Sequence, residues 1–186
     1  KQTIATNVPL ECCWSMTSDA WGYQPNDLME KNPSKELIRK LVRTRVLGAN
    51  LLLNIAPAPD GSIPKPALER LKDIGEWMRK YGDTIIGAKP GHIYLGRYKE
   101  YSSIISTISQ DGNTVHLHIL NDNKENYGIW MPFPDTIVKV TNRMTGEDVP
   151  YVQKMHKSQR FLSLKVNLEA DVPDTILDIT IDHSNK

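Results

Sequence analysis

The chain has 186 residues, 39% of them hydrophobic and 24% charged, and its 23 Lys plus Arg nearly cancel its 22 Asp plus Glu to leave a formal charge of +1. That balance belongs to a globular protein and excludes collagen, coiled coil and wholesale disorder, while a pI of about 7.9 argues against nucleic acid as a partner. No apolar run approaches the roughly 18 residues of a membrane span, and a complete (β/α)8 barrel of roughly 250 residues does not fit in this length.

The sequence begins at Lys1 and shows no signal-peptide core, so a cleaved leader or a longer parent polypeptide is expected. Leu10 to Met16 is a short, largely apolar run after Pro9, which predicts a strand buried on both faces. Cys12 and Cys13 are adjacent, so in a strand they point to opposite faces and read as buried small hydrophobes, not as a disulfide or a joint metal site. Glu11 is the one carboxylate in this run. An apolar setting disfavours the charged form of a carboxyl group, which suits a general acid working near neutral pH. Two readings stay open: a catalytic acid, or a glutamate paired with a distant arginine or fraying into solvent at a strand end. Trp14, Trp21 and Tyr23 cluster around the loop that follows, where an aromatic either packs into the core or stacks on a sugar ring.

Ser34 is an expected N-cap, and Leu37, Ile38, Leu41, Val42, Val46 and Leu47 recur at helical spacing up to a stop at Gly48. Leu51 to Ile55 then predicts a buried parallel strand, so the order strand, helix, strand implies βαβ winding. The loop from Ala56 to Gly61 holds two prolines and an Asp-Gly turn. A second helix is expected from about Pro64, with Leu68, Leu71, Ile74, Gly75 and Met78 on one face and Gly82 as its C-terminal stop. Asp19, Asp27 and Asp60 read as turn and cap residues.

Beyond Lys89-Pro90-Gly91 the pattern changes to short alternating runs with turn signals about every ten residues, among them Asp111-Gly112-Asn113, Asn121-Asp122-Asn123 and Met144-Thr145-Gly146. This is the signature of an antiparallel β-sandwich. The expected division is therefore 1–88 and 89–186. His116 and His118 form an H-x-H pair whose spacing is compatible with metal ligation, but no third ligand is near and exposed sheet histidines are expected. Tyr127, Trp130 and Phe133 lie close together in one segment. The chain has no G-x-G-x-x-G, G-x-x-x-x-G-K-[ST], G-x-S-x-G or H-E-x-x-H, so nucleotide binding and serine or zinc hydrolase chemistry are unsupported.

Three ordered stretches resemble the α-L-fucosidases of glycoside hydrolase family 29. Leu10-Glu11-Cys12-Cys13 running into Ala20-Trp21-Gly22-Tyr23 is similar to the family's W-E-x-C…S-W-G-Y. Gly48-Ala49-Asn50-Leu51-Leu52-Leu53-Asn54-Ile55-Ala56-Pro57, closing on Asp60-Gly61, is similar to G-G-N-x-L-L-N-I-G-P-x-x-D-G. Glu69-Arg70-Leu71, Ile74-Gly75-Glu76-Trp77 and Tyr81 to Gly87 are like E-R-L…I-G-x-W…N-G-E-x-I-Y-G. Leu10 stands in place of the usual Trp, and Ala49 and Ala56 stand in place of usual glycines.

The resemblance spans about residues 8 to 88 and implies an α/β plus all-β architecture: the C-terminal portion of a (β/α)8-like barrel, incomplete here, followed by an antiparallel β-sandwich. It implies an exo-acting retaining glycoside hydrolase that removes terminal α-L-fucosyl groups from a fucosylated oligosaccharide or glycoconjugate. Glu11 would be the acid/base, with Trp21 and Asn54 binding substrate. The nucleophilic aspartate would lie upstream of residue 1, so this chain alone is expected to be inactive. No metal or organic cofactor, no nucleic acid and no membrane span are expected, and the resemblance implies a secreted, periplasmic or lysosomal location. The alternative reading is a non-catalytic module in which the sandwich binds glycans or supports the barrel.

Overall fold

The computed structural model describes residues 8–94, 103–122 and 124–182; Lys1 and the Asn123 of an expected turn lie outside the described residues. The chain forms two compact units, Lys1–Ile85 and Ile86–Lys186.

The first unit runs β1 (Leu10–Ser15), α1 (Ser34–Val46), β2 (Ala49–Asn54) and α2 (Lys65–Tyr81), with a 3₁₀ turn at Gly82–Thr84. β1 and β2 pair in parallel from Leu10 opposite Ala49 to Ser15 opposite Asn54, so α1 is the crossover that a parallel pair requires. Gly48 takes a left-handed φ of 74° and its N–H donates to the Arg45 carbonyl, which ends α1 where the sequence places its stop. Ser34 is the first helical residue and not the cap: Pro33 holds the extended cap position, and the Ser34 hydroxyl donates to Asp73 on α2. Gly82 is right-handed, so α2 tightens into the 3₁₀ turn there and does not end on a left-handed glycine.

Alternation splits the two-stranded sheet. Leu10, Cys12 and Trp14 share one face with Ala49, Leu51 and Leu53, and this is the helix side: Ala49 is buried, Leu53 packs on a core of Met16, Met29, Leu37 and Ala67, and the Lys40 ammonium of α1 lies 4.4 Å from the centre of the Trp14 ring. Glu11, Cys13 and Ser15 share the opposite face with Asn50, Leu52 and Asn54. The expectation that both strands are buried on both faces is corrected here. Glu11, Cys13 and Asn50 are exposed and Leu52 keeps 51% of its surface, because the two helices cover one side only. Cys12 is half-buried and Cys13 exposed, so neither is the buried small hydrophobe its neighbours suggest.

The second unit is a β-sandwich. One sheet has the order β3-β4-β5-β10-β7, built from Lys89–Tyr94, Ile104–Ile108, Thr114–Ile119, Thr175–Asp182 and Thr136–Asn142. The other has the order β6-β9-β8, from Lys124–Pro132, Gln159–Leu168 and Tyr151–His156, and every strand pair in both sheets is antiparallel. The inner faces interdigitate Val115, Leu117, Leu162, Leu164, Leu177 and Ile179 in one core. Of the three aromatics in the β6 region, Tyr127 and Phe133 enter that core, whereas Trp130 points outward with 51% of its surface exposed. Gly91 lets β3 lie close on β4, since a Cβ there would come 2.4 Å from the Ser106 carbonyl oxygen.

His116 and His118 overturn their expected exposure. His118 is fully buried and His116 nearly so, with Nδ1 of each 2.7 Å from a carboxylate oxygen of Asp174 and Asp178 respectively. Their face of β5 is therefore a packed polar layer, and among the described residues no group of three metal-ligating side chains forms.

Candidate functional site

The sequence nominates Glu11, Trp21 and Asn54, and the structure joins two of them directly. Asn54 ends β2, and its Nδ2 donates to Ser15 Oγ at 2.9 Å and to the Trp21 carbonyl at 2.6 Å. Its backbone carbonyl accepts from Met16 N–H at 2.9 Å. Both amide protons of this side chain are thereby committed to the end of β1 and the loop beyond it. Asn54 thus pins the loop that carries Trp21, whose indole is 60% exposed.

Glu11 lies elsewhere along the same face. It is the second residue of β1, opposite Asn50, whereas the Ser15–Asn54 pair closes the strands' C-terminal ends. Four residues at about 3.3 Å each separate Glu11 from that end by roughly 13 Å. Its side chain is exposed, so the apolar neighbours in sequence do not desolvate it: they alternate away from it onto the helix side.

The β1–α1 loop is held by residues that local sequence does not single out as a set. Asp27 accepts the Ser18 hydroxyl at 2.6 Å, the Ser18 N–H at 2.7 Å and the Met29 N–H at 2.8 Å. Partial burial pushes its pKa up, but these donors outweigh burial and hold the carboxyl below its usual range. Asn32 is buried, donating to the Thr17 carbonyl at 2.9 Å and accepting from Lys40 Nζ at 2.7 Å. Arg70 on α2 spreads its guanidinium over the carbonyls of Leu28, Met29 and Asn32 at 2.8 to 3.0 Å. Arg70 stands in the Glu69-Arg70-Leu71 stretch that carries the family likeness, the one sequence signal that marks it.

Between this loop and the β2–α2 loop lies an open groove of about 470 Å³, lined among others by Tyr23, Asn26, Asp27, Leu28, Ser62 and Pro64. Asp60 caps the turn on its far side, where the Ser62 hydroxyl and N–H donors keep its carboxyl below the usual range. Glu11, Trp21 and Asn54 do not line this groove.

The first unit is thus a parallel βαβα unit with one sheet face turned away from its helices and an aromatic loop tied to its strand ends. Residues 1–83 match the family model described as Alpha-L-fucosidase. Over these residues the chain is similar to the α-L-fucosidases. It is 39% identical over 90 residues to the tissue alpha-L-fucosidase of Mus musculus, covering 48% of this chain and 20% of that protein. It is 38% identical over 84 residues to the Homo sapiens tissue enzyme, covering 45% of this chain and 18% of the other. The chain thus spans about a fifth of the length of the curated relatives it matches. Among solved structures, the Thermotoga maritima alpha-fucosidase in complex with a mechanism based inhibitor superimposes with a TM-score of 0.74 at 27% identity, covering 91% of this chain and 39% of that one. The same Thermotoga protein has also been solved in complex with fucose. A Vibrio alpha-L-fucosidase, at 24% identity and a TM-score of 0.78 over 95% of this chain and 30% of that one, shares the fold. No described helix is long and apolar enough to cross a membrane.

Proposed function

We propose that this chain forms part of an exo-acting, retaining α-L-fucosidase that releases terminal α-L-fucose from fucosylated glycans. The observation that carries the reading is the family match over 1–83 together with the orientation of its short sheet. The face opposite the helices, bearing Glu11, Asn50, Leu52 and Asn54, is the face that a (β/α)8-like barrel turns inward, and its exposed Leu52 fits a position awaiting neighbours in such a barrel.

In this reading Glu11 is the general acid and base. Its carboxylic acid donates a proton to the departing glycosidic oxygen while a nucleophilic carboxylate about 5 Å away bonds to the anomeric carbon. The Glu11 carboxylate then takes a proton from water, whose oxygen displaces the enzyme carboxylate and leaves fucose with retained configuration. The proposal assigns the nucleophile to no residue of this chain. Both steps run on carboxylates, so no metal or organic cofactor has a role in them. Trp21 offers an exposed indole to the apolar face of the substrate, and Asn54 acts on it through the Trp21 carbonyl. The 13 Å scale between Glu11 and the strand ends gives the two residues different stations: Glu11 within the inward face, the Trp21 loop at its rim. A secreted, periplasmic or lysosomal setting accords with the tissue and plasma fucosidases among the relatives.

The test is Glu11→Gln in the intact enzyme, assayed on two fucosides. A substrate with a poor leaving group should lose turnover by about a hundredfold or more, while an activated aryl fucoside loses less, because it needs no proton at departure. Equal, small losses on both would remove Glu11 from the role.

A further inference from the structure

Asparagine is depleted in strands, whose pleated surface favours β-branched and aromatic side chains. β2 nevertheless carries two, Asn50 and Asn54. Asn54 is accounted for by its bonds to Ser15 and to the Trp21 carbonyl at the strand ends. Asn50 makes no such bond: its side chain is exposed and has no hydrogen-bond partner among the described residues.

The residue directly across the parallel ladder from Asn50 is Glu11. Neighbouring strands lie about 4.8 Å apart and paired residues project to the same side, so the carboxyl and the carboxamide stand next to each other on the face turned away from the helices. The Glu11 side chain is likewise exposed and without a polar partner among the described residues. The face offers Glu11 little else. It continues with Cys13 on β1 and Leu52 on β2, which are paired with each other, and then with Ser15 and Asn54, already bonded together. Cys13 is the only other titratable group on this face of the two strands, and both helices cover the opposite side.

We propose that Asn50 is the positioning residue of Glu11: its Nδ2–H donates to one carboxylate oxygen and leaves the other for the glycosidic oxygen and the incoming water. The assignment rests on Glu11 being the acid/base. A glutamate on an open sheet face is free to turn about each of its side-chain bonds, and a carboxamide carried on the adjacent strand holds one oxygen in place before substrate arrives. Asparagine suits this part because its amide donates without a charge. A lysine there would hold Glu11 ionised and unable to give a proton, whereas a carboxylate would hold it protonated and unable to take one back. As the Glu11 proton passes to the departing oxygen, the carboxylate that forms accepts the Nδ2–H more strongly; when the carboxylate takes a proton from water, that contact weakens again. Leu52 has no donor and the Cys13 thiol is a weak one, so neither replaces it.

The test is the pH profile of kcat/KM in the intact enzyme, whose alkaline limb reports loss of the proton from the acid. Asn50→Ala removes the donor without adding bulk. The bond favours the charged form of Glu11, so without it the limb should move up by about one pH unit, and kcat on a fucoside with a poor leaving group should fall about tenfold with KM little changed. Asn50→Asp keeps the shape and should move the limb further up, since one carboxylate disfavours ionisation of the next. The position of the limb does not depend on the fraction of enzyme that is folded, so a less stable variant still gives a reading. In the Glu11→Gln background, Asn50→Ala should bring little further loss. A limb unmoved by Asn50→Ala overturns the proposal and leaves Asn50 a structural residue, as does one unmoved by Asn50→Asp, which would show that the side chain at position 50 does not reach Glu11. A limb that persists in Glu11→Gln itself removes Glu11 as the acid, which separates the failure of that reading from the failure of this one.

Discussion

His118 and Asp174 form an ion-pair geometry with no access to water: both side chains are fully buried and Nδ1 lies 2.7 Å from Oδ2. Thr107 Oγ1 meets the other ring nitrogen at 3.2 Å, while Asp174 Oδ1 has no hydrogen-bond partner among the described residues. Removing one member leaves the other buried without compensation, which costs about 3 to 5 kcal/mol. His118→Ala is therefore expected to lower unfolding free energy by that amount in urea titration. A loss below about 1 kcal/mol would mean that the pair is dispensable.

Asp178 behaves differently because it reaches both His116 at 2.7 Å and Arg143 at 2.8 Å. Burial raises its pKa, but the two donors outweigh burial and hold it below the ordinary carboxylate range. A depressed native pKa adds stability that is complete above the unfolded-state value and disappears as pH falls through the folded one. Between about pH 5 and pH 3 the wild type should lose stability more steeply than Asp178→Asn. Parallel slopes in the two proteins would contradict the linkage.

Arg70 grips three carbonyls of the β1–α1 loop with a planar fork that a lysine cannot reproduce. Arg70→Lys is expected to cost about 2 kcal/mol and to speed amide hydrogen exchange in residues 17–32 while β1 and β2 stay protected. Unchanged exchange in that loop would show that Asp27 and Asn32 hold it unaided.

Ala56 adopts a φ of 47° while 97% of its surface is hidden, its relative exposure being 3%. A left-handed backbone costs a non-glycine residue about 1 to 2 kcal/mol, which offsets what glycine loses in chain entropy and methyl burial. Ala56→Gly should therefore shift stability by no more than about 0.5 kcal/mol, whereas Ala67→Gly, which removes a fully buried methyl from the first turn of α2 without relieving any strain, should cost about 1 kcal/mol or more. Equal costs for the two, measured by denaturant midpoint, would show that Ala56 is not strained.

Much of this was legible along the chain. Helical spacing located α1 and α2, Gly48 marked a stop, and alternation in 161–168 marks which side chains of β9 face inward. Ala56 also shows its cost at the position where the family pattern has glycine. What escaped is what depends on distant partners. Alternation identifies the side of β5 that carries His116 and His118, but their burial requires Asp174 and Asp178, more than fifty residues away. Glu11 has apolar neighbours in sequence, yet in a strand those neighbours point the other way, so proximity along the chain misjudged its hydration. Trp130 and Tyr127 differ by three positions, so alternation separates them onto opposite faces, but with an aromatic on each face the inner side is identified only by the register of β6 against β9.

The tethers on the Trp21 loop share one property. Asn54 holds the carbonyl of Trp21, and Arg70 those of Leu28, Met29 and Asn32. Carbonyls are common to all twenty amino acids, so at these points the anchoring takes no notice of which side chains the loop displays. The loop is in that sense an exchangeable cassette: its exposed tip can be rewritten, Trp21 included, while the clamps keep the same grip. Selection or engineering of that tip has a site where sequence and shape are uncoupled.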